Sequence, residues 1–184
     1  MTSDRVVSVS DVERFEFAPH NCFACGTLNT GGLGLTMHVE PGRSWTELTL
    51  DRRFEGWEGM AHGGILSTIL DEVMAWALVG SDNWGVTARM TVEFRKPVEI
   101  GRAIRAEGWT TVSRRRIVDT SGRIVDALDG TILAESQGRY IAASEARKRE
   151  LAEAYGFRIV PRTETGSPGT VDEPGATDAA VAGS

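Results

Sequence analysis

Apolar residues recur at helical spacing in the middle of the chain. They fall at positions 65, 66, 69, 70, 73, 74, 77 and 78, and this spacing predicts a helix that begins near Gly64. One broad face of that helix should pack on a sheet. The residues that share this face are Ile65, Leu66, Ile69, Leu70, Val73 and Ala77.

The opposite side of the predicted helix is small and weakly polar. Its residues are Ser67, Thr68, Asp71, Ala75 and Leu78. A solvated helix face normally carries several charged residues. We therefore expect a second subunit or a ligand to cover this face. Asp71 would then be partly desolvated, which costs free energy unless the carboxylate is paired or used.

Strand patterns lie on both sides of the predicted helix. Residues 44–50 alternate and are rich in Thr and Trp, which favours a strand. After the helix, Met90, Val92 and Phe94 lie on one face of another strand. Pro97 limits the ladder of that strand to an edge or a bulge.

Further strand-like segments follow between residues 103 and 143. Turn signals lie at Ser121-Gly122 and at Asp129-Gly130. Because these strands follow one another without a helix, the sheet should be largely antiparallel there. One long helix and a meander of strands predict an α+β fold in which the sheet covers the helix.

The two ends of the chain differ from this central region. We predict an N-terminal extension over residues 1–19 and the folded domain over 20–143. Residues 144–160 are predicted to be a surface helix, because a Ser cap and interleaved charges begin the segment. Residues 161–184 contain no aromatic residue, Leu, Ile or Met, which predicts a disordered tail.

The composition narrows the range of partners. The 184 residues are enough for one domain with a sizeable core, and the net charge is −6. This charge argues against nucleic acid or an anionic membrane as the main partner. The chain has no apolar run of about 18 residues and no leader-like segment near its start. We predict a cytoplasmic protein.

Cys22 and Cys25 are the only cysteines, and their spacing suggests a redox or a zinc site. There is no second pair of cysteines, and only His20, His38 and His62 offer imidazole ligands to complete a zinc site. We predict a loop with ordinary thiols and neither a metal nor a structural disulfide.

The start of the predicted helix offers a second kind of chemistry. The first amides of a helix are unsatisfied donors at the positive end of its dipole. Gly63 and Gly64 let a ligand approach those amides, so a carbonyl oxygen there would meet an oxyanion hole. Asp71 lies seven residues after Gly64, roughly 10 Å along the axis. The acid therefore serves such a site only if a partner chain supplies it.

The segment AHGGILSTILDEVMAWA resembles the signature of hotdog-fold acyl-CoA thioesterases, in the phenylacetate-pathway (PaaI-like) branch. The resemblance extends to NCFACGTLNTGGLGLTM upstream and to TARMTVEFRKPVEIG and GTILAESQGRYI downstream, over roughly residues 20–142. Thr30 stands where many members have Pro. The resemblance implies a long central helix wrapped by a curved sheet. It also implies a homodimer, or a dimer of dimers, with a continuous sheet and active sites at the dimer interface.

The resemblance also implies roles for individual residues. Asp71 matches the catalytic carboxylate, acting as a general base or a nucleophile. The Gly64 amide matches the oxyanion donor, and Gly63 permits the approach. His62 orders the turn or bonds near the thioester oxygen, and Thr87 orients the water or the acid.

Other residues are candidates for secondary roles. Glu72 is the rival acid, about 100° round the helix and toward Trp76. The basic residues that are candidates for binding the phosphates of coenzyme A are Arg95, Lys96, Arg114, Arg115 and Arg116. The residues that line an acyl pocket or belong to the core are Trp57, Met60, Met74, Trp76, Trp84 and Met90.

These features predict an acyl-CoA thioester hydrolase that needs no cofactor. The alternative is a hotdog protein that binds an acyl-CoA or acyl-carrier thioester without hydrolysing it. A thioester dehydratase or hydratase is the third possibility, but such enzymes usually use a later His, and no His follows His62. The acyl group stays open between medium chains and aromatic groups.

Overall fold

A sheet wraps around one long helix, as the pattern predicts. The computed structural model describes residues 4–8 and 13–161. The strands are β1 (Asp4–Ser8), β2 (Glu13–Phe17), β3 (His38–Glu40), β4 (Arg43–Thr49), β5 (Gly85–Phe94), β6 (Ala103–Arg114), β7 (Ile117–Asp126), β8 (Ile132–Ala142) and β9 (Arg158–Pro161). The helices are α1 (Gly63–Val79) and α2 (Glu145–Ala154), and a 3₁₀ turn covers Arg52–Phe54.

The sheet of the described residues has the strand order β5-β8-β7-β6-β4-β3-β1-β2-β9. All neighbouring strands are antiparallel except β1 and β3, which are parallel. This confirms the α+β fold with a largely antiparallel sheet. Strand β5 has a single neighbour, so its outer edge carries unpaired backbone groups.

The predicted apolar face of α1 packs into the core. Leu66, Ile69, Leu70, Val73 and Ala77 are buried, and Ile65 is half-buried against them. Leu78 is also fully buried in the core of its own chain. Its predicted place on the face that a partner covers is therefore wrong. The other residues of that face remain partly exposed.

The predicted turn at Ser121-Gly122 is wrong, because both residues lie inside β7. Gly122 leaves room for helix α1, because a Cβ at this position would lie 3.1 Å from Cγ of Met74. The real turn between β6 and β7 contains Arg115, whose φ is +53°. The predicted turn at Asp129-Gly130 is confirmed.

Segments outside the central domain add to the far side of the sheet. The N-terminal strands β1 and β2 pair with each other, and β9 pairs with β2. Nothing in the sequence pattern predicted these three strands. Helix α2 begins where expected, with the Ser144 hydroxyl accepting the Arg147 N–H at 3.3 Å. The prediction of a helix up to residue 160 is wrong: α2 ends at Ala154, the chain turns at Gly156, whose φ is +58°, and residues 158–160 belong to β9. The predicted disordered tail lies outside the described residues except for Pro161, which ends β9. No helix in residues 4–8 and 13–161 is long and apolar enough to cross a membrane.

Candidate active site

The start of α1 is arranged by His62, which is the N-cap residue. Its Nδ1 accepts a hydrogen bond of 2.9 Å from the Gly64 N–H. The amide that the sequence suggested as oxyanion donor is therefore occupied by the neighbouring imidazole. Among the described residues, the Gly63 N–H has no acceptor. Gly63 is thus the first-turn residue whose amide is available to a ligand.

A cavity of about 610 Å³ opens beside Gly63. Apolar side chains supply much of its wall, and the basic residues Arg95 and Lys96 lie at the same cavity. The lining residues are Gly56, Trp57, Met60, Ala61, His62, Gly63, Leu66, Phe94, Arg95, Lys96, Pro97 and Val98. The site therefore combines a free amide, an apolar wall and positive charge.

Asp71 lies two turns along α1, where two hydroxyl groups hold its carboxylate. Thr87 and Tyr140 each donate to Oδ1 at 2.7 Å. The Tyr140 hydroxyl also lies 3.1 Å from the Asp71 carbonyl oxygen. No described residue hydrogen-bonds Oδ2, so that oxygen is available to a water molecule or a substrate. Two donors on one oxygen fix the orientation of the carboxylate.

Tyr140 is a site residue that the sequence reasoning missed. Its side chain is fully buried, and burial, together with the Asp71 charge, raises the pKa of its hydroxyl. The hydroxyl therefore stays protonated and acts as a donor. Tyr140 lies opposite Thr87 in the β5–β8 ladder, which explains why both reach Asp71. No local motif could reveal a contact between residues so far apart in the chain.

Glu72 points away from Asp71 and into the protein. Trp76 Nε1 donates to Oε1 of Glu72 at 2.9 Å, which confirms the predicted position of Glu72 toward Trp76. Burial raises the pKa of Glu72 to about 7. Glu72 does not line the cavity beside Gly63, so its geometry gives no support to a role in substrate binding.

The two cysteines lie against Glu72. A hydrogen bond with the Cys25 thiol lowers the pKa of Cys22 to about 5, and the same bond together with burial raises the pKa of Cys25. The two sulfurs and a Glu72 carboxylate oxygen all lie within 4.8 Å of one another. Sequence reasoning found no ligand on the helix for this pair, because Glu72 and the cysteines meet only in the fold.

The two basic clusters occupy different places. Arg95 forms ion pairs with Glu93 at 2.5 Å and Glu135 at 2.9 Å, whereas Lys96 has no ion pair among the described residues. The second cluster surrounds the β6–β7 turn, and its Arg116 donates to the Ala142 carbonyl at 3.1 Å. Its members Arg114, Arg115 and Arg116 are exposed and do not line the cavity beside Gly63.

The six apolar candidates for the acyl pocket divide into two groups. Trp57 and Met60 line the cavity, and Trp57 is 81% exposed. Met74 and Trp76 are buried in the core. The remaining two, Trp84 and Met90, are partly buried and pack against the core.

The sequence and the fold of the chain are similar to those of known thioesterase superfamily proteins. A family model described as the thioesterase superfamily matches residues 58–132. Zebra fish thioesterase superfamily member 2 matches with 18% identity and a TM-score of 0.58, covering 60% of this chain and 83% of its own. PaaI from the Escherichia coli phenylacetic acid degradation operon matches with 18% identity and a TM-score of 0.56, covering 59% and 82%. A search of curated proteins finds no match.

A third similar structure is a hypothetical thioesterase from Streptococcus pneumoniae TIGR4 with coenzyme A. It is 16% identical, has a TM-score of 0.55, and covers 58% of this chain and 82% of its own. Alanine variants of a protein of the same description also match, one at an aspartate and one at a threonine sixteen positions later. The chain therefore has the hotdog fold of the thioesterase superfamily and matches that superfamily's sequence model over residues 58–132.

Proposed function

We propose that the protein hydrolyses acyl-CoA thioesters, with Asp71 as the catalytic carboxylate. The observation that carries this proposal is the state of its side chain, with Oδ1 held by two hydroxyl donors and Oδ2 free. Asp71 and Thr87 are sixteen residues apart, the separation of the aspartate and threonine replaced in the streptococcal variants. The coenzyme A in that thioesterase supports the same class of substrate.

Strand β5 supports a site shared between two copies of the chain. It is an edge strand, and its apolar Val86 and Phe94 are 72% and 54% exposed. A second copy can pair antiparallel with this edge about a two-fold axis, which makes one continuous sheet. The Thr87 end of one strand then lies beside the Phe94 end of the other.

This pairing joins the two halves of the site. Phe94 lies close to Gly63, since a Cβ on that glycine would lie 3.3 Å from the Phe94 ring. Asp71 is tied to Thr87 at the other end of β5. In the proposed dimer, the partner's Asp71 therefore approaches the Gly63 amide and the cavity beside it. Within one chain the two groups are roughly 12 Å apart along the helix, because each residue adds about 1.5 Å.

The proposed reaction uses each of these groups. The thioester carbonyl oxygen accepts from the Gly63 N–H, which stabilises the negative charge that develops on it. A water molecule held by Oδ2 of Asp71 attacks the carbonyl carbon as the carboxylate takes its proton. The carbon–sulfur bond then breaks, and the leaving thiolate of coenzyme A takes the proton that Asp71 accepted, which restores the carboxylate. The products are a carboxylic acid and the free thiol.

Thiol release from a panel of acyl-CoAs tests this proposal, with the binding of each substrate measured in parallel. We expect release of coenzyme A from at least one short, medium or aromatic acyl-CoA, and none with Asp71→Ala. Binding of the panel without release would contradict hydrolysis and would support the non-catalytic alternative. Hydrolysis that survives in Asp71→Ala would contradict the role given to the carboxylate.

A further inference from the structure

The thiols of Cys22 and Cys25 and the carboxylate of Glu72 form a compact group that the proposed hydrolysis does not use. Their three donor atoms lie within 4.8 Å of one another. Two thiols and a carboxylate match the donors that Zn²⁺ takes in proteins. We propose that this group binds one thiophilic divalent cation, with Zn²⁺ as the natural occupant.

The geometry of the loop favours this use. Gly26 follows the second cysteine, and its N–H bonds the Cys22 carbonyl at 3.0 Å. A Cβ at Gly26 would lie 2.5 Å from the Cys22 nitrogen, so only glycine allows a loop this tight. The tight loop brings both sulfurs to the same side, toward helix α1.

The distances are close to those of a bound metal. Zinc–sulfur bonds of about 2.3 Å and zinc–oxygen bonds of about 2.0–2.2 Å place tetrahedral ligands roughly 3.5–3.8 Å apart. Because the three atoms lie within 4.8 Å of one another, each pair has to close by at most about 1 Å, which side-chain rotation can supply without moving the backbone. The three protein ligands leave a fourth position for water or another ligand.

The charges of the group also favour a cation. All three donors are acids, and Glu72 forms no ion pair with a Lys or Arg in the described part of the chain. The neighbouring basic group is His20, whose Nδ1 accepts from the Cys22 N–H at 3.3 Å. A divalent cation would balance the charge of two thiolates. It would also tie the loop of residues 22–26 to the helix that carries Asp71.

Titration with Co²⁺ tests the site directly in the full chain, reduced and freed of metal by a chelator. We expect one Co²⁺ per chain with a thiolate-to-cobalt charge-transfer absorption, and displacement of that Co²⁺ by Zn²⁺. Cys22→Ser combined with Cys25→Ser should abolish the absorption. Glu72→Gln should weaken Co²⁺ binding at least about tenfold. Loss of a group that merely supports a metal ligand already costs about this much, and we propose that Glu72 is itself a ligand. Glu153→Gln, an exposed change on α2, is the matched control.

Each result decides the proposal without a measurement of hydrolysis. Circular dichroism first establishes that each variant is folded. The absence of the charge-transfer absorption in folded, reduced wild-type protein would overturn the site. Equal affinities for wild type and Glu72→Gln would also overturn it, because the carboxylate would then not be a ligand. Conversion of the cysteines to a disulfide, with no metal bound after reduction, would instead identify a redox pair.

Discussion

Asp71 and Glu72 are neighbouring acids on one helix, yet the fold gives them opposite environments. Asp71 lies on the partly exposed face, held by the hydroxyls of Thr87 and Tyr140, with one oxygen free. Glu72 is turned inward against Trp76 and the two cysteines. The difference follows from helix geometry, because successive side chains point about 100° apart.

The comparison separates two kinds of chemistry. A carboxylate that is oriented but open to solvent can take a proton from water at neutral pH. A buried carboxylate beside two thiols is suited to a metal or to the protonated state. Experiments that exchange or remove these properties should therefore affect different observables for the two acids.

Replacement of Asp71 should give the largest effect on catalysis. We expect Asp71→Asn to lower kcat by about 10³-fold, within the range of 10²–10⁴ typical of a general base, while the amide oxygen still accepts from both hydroxyls. Steady-state kinetics on the best substrate of the panel measures this. Asp82→Asn is the control, since that exposed carboxylate lies beyond the end of the helix and bonds Lys148. A loss of less than tenfold in Asp71→Asn would refute its role as base.

Glu72 should instead affect stability and its dependence on pH. Its folded-state pKa of about 7 lies above the ordinary value of 4.5, so the folded protein holds the proton more tightly. As the pH rises from about 4.5 to 7, the metal-free wild type should lose up to about 3 kcal/mol of unfolding free energy relative to Glu72→Gln. The lowered pKa of Cys22 makes the folded state more stable as the pH rises. Both proteins share this effect, so it does not alter the difference between them.

Urea denaturation with reductant and chelator, at intervals between pH 5 and 8, measures this difference. The free energy of unfolding of Glu72→Gln should rise relative to that of the wild type up to about pH 7. Above that pH the difference between the two proteins should stay constant. A gap that does not change with pH would mean that Glu72 is ionised in the folded protein as easily as in the unfolded chain.

Removal of one hydroxyl should sharpen the description of Asp71. Tyr140→Phe keeps the buried ring and removes a donor to the carboxylate, which is worth roughly 1.5–3 kcal/mol for a charged acceptor. We expect kcat to fall about tenfold with little change in KM, because the proposed role of Tyr140 is to position the acid and not to bind substrate. In an Asp71→Asn background the same change should cost much less. A loss confined to KM would argue against this positioning role.

The smallest effect should come from Lys96, which lines the cavity but lies outside the reacting groups. We expect Lys96→Ala to raise KM for an acyl-CoA about twofold to fivefold, since an exposed charge pair contributes up to about 1 kcal/mol. It should leave KM for the acyl-pantetheine, which lacks the nucleotide, unchanged. Arg115→Ala, which changes an exposed residue of the β6–β7 turn outside the cavity lining, is the comparison variant in the same assay. Equal effects of Lys96→Ala on both substrates would contradict a phosphate contact.

The sequence could predict the features that follow from a local repeat of apolar residues. The face of α1 and the antiparallel strands follow from apolar spacing, and the structure confirms both. Ser121-Gly122 misled the prediction, because a glycine needed for close helix packing looks like a glycine needed for a turn.

Contacts between distant segments could not be predicted in this way. Tyr140 reaches Asp71 across the sheet, and Glu72 meets the cysteines of a loop nearly fifty residues earlier. The Gly64 amide looked free in the sequence, but the N-cap imidazole of His62 occupies it. Such competition for one donor depends on side-chain rotamers, which a residue pattern does not specify.

The central claim is that the acid of one chain serves the glycine turn of another. Two differently tagged chains, one with Asp71→Asn and one with Gly63→Pro, are co-expressed and purified through both tags. Proline at the first helical position keeps the helix and removes the free N–H. Each variant alone should be nearly inactive. The mixed dimer should recover about half the wild-type activity, since one of its two sites is intact. Mixed dimers as inactive as the parent variants would contradict the shared site.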